Sequence, residues 1–351
     1  MRYVRAIAGL SAGCRMILTT MIVLVAAPAQ AQGTSAGMAA AANNFLATLD
    51  AKQRQSVLYA FTDDAQRKHW SNLPTPMVPR GGINLGSMSA PQKAAALTLL
   101  STALSARGFQ KVTEIMQGDE VNRQNESGQR GGGSIFGKDL YYISILGTPS
   151  ETTPWMLQFG GHHLGLNITV SGKSGILTPT LTGAQPAFFM DGAKPVRPLA
   201  GESDKALALL NSLDARQRGN AILSYTVSDL VLGPGEDGKT IQPEGLKASA
   251  MTEQQKAMLL TVIAEWSGIV EDHSAASRMA ELKSDLNDTW FAWSGPTTAS
   301  TGGNIVAYYR IQGPHLVIEY APQRLGGDPA LHVHTMYRDP TNDYGRAVLA
   351  K

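Results

Sequence analysis

An internal repeat constrains the fold of this chain more than any other feature of its sequence. Residues 46–55 and 210–219 are identical at six of ten aligned positions, and residues 82–93 align with 245–256 at nearly the same offset. A third match sets Gly160-Gly-His-His-Leu164 against Gly313-Pro-His-Leu316, so that His163 corresponds to His315. Self-similarity at a near-constant offset indicates two copies of one structural unit.

Each copy is predicted to begin with two helices. Asp50, Ser89, Asp214 and Thr252 are each followed by Gln three residues later, which is typical of a capping box at a helix start. Apolar residues then recur every three or four positions, so one face of the second helix is expected to be buried. Gly108 is predicted to end that helix in the first copy.

Strands are predicted after the helices of each copy. The segments are 141–146, 155–159 and 164–170 in the first copy, and 290–293, 305–311 and 316–320 in the second. The expected fold is α+β, with two pseudo-symmetric repeats that each place a three-stranded antiparallel meander after two helices. The predicted boundaries are 32–170 for the first repeat, 171–200 for a linker rich in Gly and Pro, and 201–351 for the second repeat with a C-terminal extension. Residues 117–135 are polar and glycine-rich and are predicted to form a mobile loop.

The N-terminus predicts export. Arg2, Arg5 and Arg15 supply positive charge, residues 16–27 are an apolar run, and Ala29-Gln-Ala31 is a small-x-small cleavage pattern. The run is shorter than the roughly 20 residues that a membrane-spanning helix needs. Residues 1–31 are therefore interpreted as a signal peptide, and the mature protein is expected in the periplasm or outside the cell, away from the membrane.

Composition then excludes several classes of function. Removal of residues 1–31 changes the formal charge from +2 to −1, because three arginines and no acidic residues leave, and such a chain has no electrostatic basis for binding nucleic acid. The only cysteine, Cys14, leaves too, which excludes disulfides and thiolate sites from the mature part. The sequence contains no His-Glu-x-x-His motif of the kind that binds zinc on a helix.

Four of the seven histidines lie in two short motifs. On a strand, His332 and His334 would face the same side, roughly 6.6 Å apart along the backbone, where both rings can reach one metal ion. His162 and His163 follow two glycines at a strand start. Adjacent strand residues face opposite sides, and His163 is favoured because the repeat marks its position. All four are candidate metal ligands, and histidines with a structural or solvent-facing role are the alternative.

One carboxylate distinguishes the two copies. Glu319 stands where the first copy has Asn167. A carboxylate kept in one copy could make one asymmetric site from a symmetric fold, so Glu319 is a candidate metal ligand or general base. The alternative is a salt bridge to Arg310 on the neighbouring strand.

The turn after His334 and one earlier arginine supply the remaining candidates. Asp339 is a second candidate catalytic residue, because it could orient a ligating histidine or a substrate. Arg80, Arg338 and Tyr344 are candidate substrate-binding residues. Simple closure of the turn is the alternative for Arg338 and Asp339.

The motifs resemble those of the DUF3500 family of uncharacterised bacterial and fungal proteins. The residues that carry the resemblance are Trp70-Ser-Asn-Leu-Pro74, Arg80-Gly-Gly-Ile83, Tyr141-Tyr142, Gly147-x-Pro-Ser150, Trp155, Phe159-Gly-Gly-His-His-Leu164 and the run from His332 to Gly345. The resemblance covers nearly all of the mature chain. It implies that the Gly-His-His and His-x-His motifs belong to one family-wide site, and it does not require histidine at position 315.

These observations together predict an exported metal-dependent enzyme, most simply a hydrolase acting on a small or anionic substrate. Three protein ligands plus one open position is the expected arrangement of a catalytic zinc site. Zinc is the first expectation for the divalent transition metal, and copper or iron would change the class to oxidoreductase. The alternatives are a metal- or ligand-binding protein without catalysis and a structural module. The sequence leaves the substrate and the oligomeric state open.

Overall fold

The computed structural model describes residues 34–126, 135–325 and 327–349. The predicted signal peptide and the glycines at 131–133 lie outside the described residues. Within those residues, no helix is both long and apolar enough to cross a membrane.

Capping boxes begin helices at all four predicted positions, which confirms those predictions. The side chains of Asp50, Ser89, Asp214 and Thr252 each accept a hydrogen bond from the backbone of the Gln three residues on, and that Gln side chain accepts one from the cap backbone. Each box satisfies two donors that a helix start leaves unpaired. The helices are α1 (Ser35–Ala47), α2 (Ala51–Val57), α3 (Asp64–Arg67), α4 (Ala90–Ala103), α5 (Ala106–Glu126), α6 (Ala200–Ser212), α7 (Ala215–Ala221), α8 (Glu253–Ser267), α9 (Asp272–Ser284) and α10 (Arg346–Leu349).

The strands confirm the predicted mixed α+β fold, and most of them form one large sheet. They are β1 (Leu58–Tyr59), β2 (Ile83–Asn84), β3 (Tyr142–Leu146), β4 (Trp155–Gly161), β5 (Leu164–Ser171), β6 (Ser174–Ala184), β7 (Phe189–Asp191), β8 (Lys194–Val196), β9 (Leu246–Lys247), β10 (Trp290–Ser294), β11 (Tyr308–Gly313), β12 (Leu316–Pro322) and β13 (Val333–Arg338). The sheet order is β1-β3-β4-β5-β6-β13-β12-β11-β10-β9, with β2 beside β3 and a separate β7–β8 hairpin. Only the β1–β3 pairing is parallel among these named strands.

The segment predicted as a linker contains a strand from the middle of the sheet. β6 pairs with β5 on one side and with β13 on the other, so a fourth strand follows the predicted meander in each half. Threonines in β6 are buried, and Thr182 Oγ1 lies 2.7 Å from Thr335 Oγ1 of β13. β-branched threonine suits a strand when a partner satisfies its hydroxyl. The segment was predicted to be a linker because of its Gly and Pro content, and this strand was therefore missed.

Two faces of the sheet are covered differently. Helices α1, α4, α6 and α8 contribute to two large apolar cores with alternate strand residues on one face. A smaller cluster on the other face lies beneath loops and consists of Trp70, Leu146, Met156, Leu181, Met336 and Tyr344. Leu181 and Met336 are register partners, and the next residue, Tyr337, belongs to a helix-covered core. This alternation follows from the two-residue period of a strand.

Two local predictions were wrong. α4 ends at Ala103, and Gly108 lies inside α5 instead of ending a helix. A Cβ at Gly108 would lie 2.1 Å from the Ile269 carbonyl oxygen, so this glycine permits a close approach of two backbones. α5 also continues to Glu126, which replaces the first half of the loop predicted for residues 117–135. The polar composition of this helix had indicated a loop.

Candidate metal centre

Strand connectivity brings the predicted histidines to one edge of the sheet. His162 and His163 form the two-residue turn between β4 and β5. Because β5, β6 and β13 are successive antiparallel neighbours, this turn, the end of β6 and the start of β13 lie together. Gly183 of β6 is the register partner of His334, and its N–H donates to the His163 carbonyl at 2.7 Å.

Three of the four candidate histidines converge through their ring nitrogens. His163 Nε2 lies 2.9 Å from His332 Nε2, which lies 3.1 Å from His334 Nε2. One ligand atom from each of the three lies within 4.8 Å of the others, so the group could hold a metal ion. These residues are 3%, 8% and 7% exposed, respectively. We call His163, His332 and His334 the histidine cluster.

Burial and hydrogen bonding prepare these rings for ligation. Burial, reinforced by neighbouring histidines, holds the pKa values of His163 and His334 well below the ordinary 6.5. Burial also lowers the pKa of His332. The Nδ1 of His332 lies 2.7 Å from the Leu325 carbonyl oxygen. A carbonyl only accepts, so Nδ1 carries the proton and Nε2 presents its lone pair. Neutral imidazole is the form that binds a metal.

His163 occupies a backbone conformation that side chains other than glycine rarely adopt. Its φ is 60°, and Tyr344 is the other non-glycine residue with a positive φ in the described part of the chain. His315, at the corresponding turn between β11 and β12, has no positive φ. Glycine would relieve the local strain at position 163, so the histidine there suggests a use for its side chain.

Residues 71–80 close over the histidine cluster. The His163 N–H donates to the Asn72 carbonyl at 3.1 Å, and Asn72 Nδ2 lies 3.3 Å from His334 Nδ1. Arg80 Nη2 donates to the carbonyls of Ser71, Leu73 and Gly161. Burial lowers the pKa of Arg80 to about 10. Arg80 therefore fastens this segment to the end of β4.

His162 contacts a carboxylate that the sequence analysis did not single out. Its Nδ1 lies 2.6 Å from Asp119 Oδ1, and its ring centroid is 3.7 Å from that of His163. Asp119 is buried on α5, and its Oδ2 accepts from the Gly137 N–H at 3.0 Å. His162 thus supports the cluster from the side instead of joining it. The Tyr141 hydroxyl donates to the His162 carbonyl at 2.7 Å and fixes the same turn.

Glu319 lies on the loop-covered face but contacts other groups. Its carboxylate accepts from the N–H groups of Val231 and Leu232 at 2.7 and 2.8 Å and from Tyr308 Oη at 2.7 Å. Burial raises its pKa. Arg310, the register partner of Glu319, instead forms an ion pair with Glu244 at 3.0 Å. These contacts hold residues 231–232 against the sheet.

The candidates after His334 also lie apart from the cluster. Asp339 forms an ion pair with Arg278 at 2.9 Å. Arg338 donates to the carbonyls of Leu232 and Gly233 and to the carboxylates of Asp237 and Asp343, with donor–acceptor distances of 2.7–3.0 Å. Tyr344 Oη accepts from Trp70 Nε1 and donates to Asp237, both at 2.8 Å. His315 Nδ1 lies 3.0 Å from Thr341 Oγ1.

Two contributors were missed for different reasons. Asn72 lies in the Trp70-Ser-Asn-Leu-Pro74 motif, so a signal for it was present in the sequence. Asp119 lies on a helix that was predicted to be a loop because of its polar composition. No local sequence pattern relates it to His162, which is 43 positions later.

Comparison with known proteins gives one match. The family model described as "Protein of unknown function (DUF3500)" matches residues 31–346, nearly the whole chain. No curated protein and no solved structure matches the chain.

Proposed function

The chain belongs to the DUF3500 family, and from the histidine cluster we propose that it is an exported metal-dependent hydrolase of small molecules. The observation that carries the proposal is the convergence of three imidazole nitrogens within 4.8 Å of one another. Three protein ligands with one position left for water are what catalytic zinc sites use to generate a nucleophile at neutral pH.

Zinc is the metal that the donor set favours first. A tetrahedral ion with Zn–N bonds of about 2.0–2.1 Å separates its ligand nitrogens by about 3.4 Å. Two of the Nε2 separations, 2.9 and 3.1 Å, are within a few tenths of an ångström of that spacing, and all three ligand atoms lie within 4.8 Å of one another. Imidazole also suits copper and iron, which would make the protein an oxidoreductase.

The surroundings of the cluster support a small or anionic substrate. Arg80 is bound to backbone carbonyls, including that of Gly161, and has no ion pair among the described residues. Its positive charge close to the cluster favours an anionic group there. The sequence pattern of residues 1–31 supports export, and the family match begins at residue 31.

A metal-binding protein without catalysis is the second candidate. The observation that favours it is the low exposure of the three histidines, 3–8%. A closed site would bind the ion without leaving a position that a substrate can reach.

We also propose that the two halves descend from a duplicated unit. The matched capping boxes and the four consecutive strands in each half, β3–β6 and β10–β13, support this. β6 and β13 are neighbours at the centre of the strand order. The copies have diverged at the site, because His163 joins the cluster and His315 does not.

Metal analysis of purified variants tests the proposal. We expect wild type to bind one zinc ion per chain and to hydrolyse p-nitrophenyl acetate when zinc is present. The double variant His332→Ala/His334→Ala should lose both properties while remaining folded. His273→Ala is the matched control, because this histidine is exposed on α9, and it should behave as wild type.

The outcomes separate the candidates. A wild-type protein that takes up no zinc, copper or iron refutes the metal site. Stoichiometric metal without turnover of ester or amide probes favours the binding protein. Hydrolysis that survives in the double variant would place the activity elsewhere.

A further inference from the structure

A cleft of about 520 Å³ lies on the loop-covered face of the second half. Residues 225–231 line it, together with Ile241, Gln242, Glu244 and Arg310. Small-molecule pockets typically measure about 300–1,000 Å³, so this space, which we call the side cleft, can hold a ligand of that class.

One end of the side cleft adjoins the histidine cluster. Gln323 Nε2 donates to Asp229 Oδ1 at 2.9 Å, and the Gln323 N–H donates to the His332 carbonyl at 2.7 Å. Gln323 therefore links Asp229 to the backbone of His332.

The far side of the cleft can be placed from the strand register. Arg310 is the partner of Glu319, and His334 is the partner of Ala321. Residues 319 and 321 are two apart on β12, so all four point to the same face. With about 4.8 Å between strands and about 3.4 Å per residue, the Cα atoms of Arg310 and His334 are about 12 Å apart. A small molecule can span that distance.

Some polar groups of the cleft lack an ion-pair or hydrogen-bond partner among the described residues. Glu244 is occupied by Arg310 at 3.0 Å and by Tyr225 Oη at 2.5 Å. Asp229 is exposed, accepts hydrogen bonds from Leu230 and Gln323, and forms no ion pair with any described cation. Arg310 is 3% exposed, and its Nε has no hydrogen-bond partner among the described residues. The cleft thus offers an unpaired carboxylate near the histidines and a spare donor on a buried cation farther away.

We propose that the side cleft binds a small molecule carrying an ammonium group beside a carbonyl oxygen, as an α-amino amide or ester does. Asp229 pairs with the ammonium group, which leaves the adjacent carbonyl on the side of the histidines, and the Arg310 guanidinium is the donor for a polar group at the far end of a longer ligand. The inference rests on the proposed function, because it names the substrate class on which the metal site would act. It excludes purely anionic ligands from the cleft, since Asp229 and Glu244 outnumber the one lining cation.

Binding of two model compounds to zinc-free protein tests the proposal. The probes are L-alaninamide, which carries an ammonium group, and N-acetyl-L-alaninamide, which is its neutral counterpart, and ligand-observed NMR measures both affinities. We expect wild type to prefer L-alaninamide, and Asp229→Asn to weaken its binding roughly two- to fivefold, the range for one solvated ion pair. Asp191→Asn is the matched control, an exposed carboxylate on the β7–β8 hairpin, and it should keep the wild-type preference. Glu244→Gln provides a second variant that acts on the same cleft.

The zinc-free measurement separates this inference from the proposed function. Equal binding of the two probes, no binding of either, or a preference that persists in Asp229→Asn overturns the inference. The zinc-loaded protein is then assayed with L-alanine p-nitroanilide and its N-acetyl derivative. If the ammonium preference is found in binding but neither compound is hydrolysed, the cleft assignment stands and the hydrolase proposal fails.

Discussion

Replacing His163 with glycine should separate ligation from backbone strain. The residue has a φ of 60° and is 3% exposed. A left-handed conformation costs a residue with a Cβ about 1–2 kcal/mol, and glycine escapes that cost. Loss of the buried ring and its hydrogen bond opposes this gain by about 1–2 kcal/mol. We expect the zinc-free His163→Gly variant to unfold with a free energy within about 1 kcal/mol of wild type.

Zinc binding should respond much more strongly to the same substitution. Structural zinc sites with four ligands contribute about 10–16 kcal/mol, which corresponds to about 3 kcal/mol per ligand. Removal of one ligand from the histidine cluster should therefore weaken zinc binding roughly 100-fold. Competition with a chromophoric chelator measures the affinity, and urea unfolding in the presence of a metal chelator measures stability.

His315 provides the matched control at the corresponding turn. The His163→Gly variant should be more stable than His163→Ala by about 1 kcal/mol, because both variants lack the ligand and only alanine is strained by a positive φ. At position 315, where φ is not positive, glycine should be less stable than alanine by about 0.5–1 kcal/mol. Equal stabilities of the two variants at position 163 would refute the strain argument. Wild-type zinc affinity in His163→Gly would refute the ligand assignment.

Three further predictions follow from buried ionisable groups. Lys111→Met should lower the free energy of unfolding by about 3–5 kcal/mol in urea titrations, because Glu202, which is fully buried and ion-paired with Lys111, would lose its counter-charge. The double variant Lys111→Met/Glu202→Gln should recover part of this loss, and a Lys111→Met variant as stable as wild type would contradict the prediction. In zinc-free protein, stability should fall as the pH drops below 6.5, by at most about 1.4 kcal/mol per pH unit for each histidine. Burial lowers the folded-state pKa values of His163 and His334, so below pH 6.5 the unfolded chain binds more protons than the folded chain. Urea denaturation at several pH values measures this effect, and the stability of His334→Asn should depend less on pH. Glu319→Gln should lower stability by about 1–3 kcal/mol through its backbone contacts and leave zinc affinity unchanged, whereas a large loss of affinity would support its assignment as a ligand.

Local chemistry explains what the sequence predicted correctly. A capping box joins residues three positions apart, so its signal is complete within a short segment, as at Asp50 and Gln53. His332 and His334 likewise share a strand side by the two-residue period alone. Their rings indeed approach each other, with the two Nε2 atoms 3.1 Å apart.

Non-local packing explains what the sequence could not supply. β6 is a strand because β5 and β13 pair with it on both sides, and nothing within its own Gly- and Pro-containing segment specifies that. Asp119 reaches His162 only because α5 lies against the turn between β4 and β5. The predicted rule that adjacent strand residues face opposite sides did not apply to His162 and His163, because both lie in that turn.

A hydrogen-bond count argues that the histidine cluster is more than a structural contact. His332 donates through Nδ1 to the Leu325 carbonyl, so its Nε2 has one lone pair and no proton. The Nε2 atoms of His163 and His334 both face that lone pair, at 2.9 and 3.1 Å. One of them can donate to it, and the other must then find a different partner.

Among the described residues, the further hydrogen-bonding partner of His334 Nε2 is Asn72, whose Nδ2 lies 3.4 Å away, which is long for a hydrogen bond. A buried polar atom left so poorly paired costs about 1–3 kcal/mol. Protonation would relieve the mismatch but is opposed by burial, which lowers the pKa values of all three rings. A metal ion accepts three lone pairs at once, so it resolves a conflict that the three histidines cannot resolve among themselves.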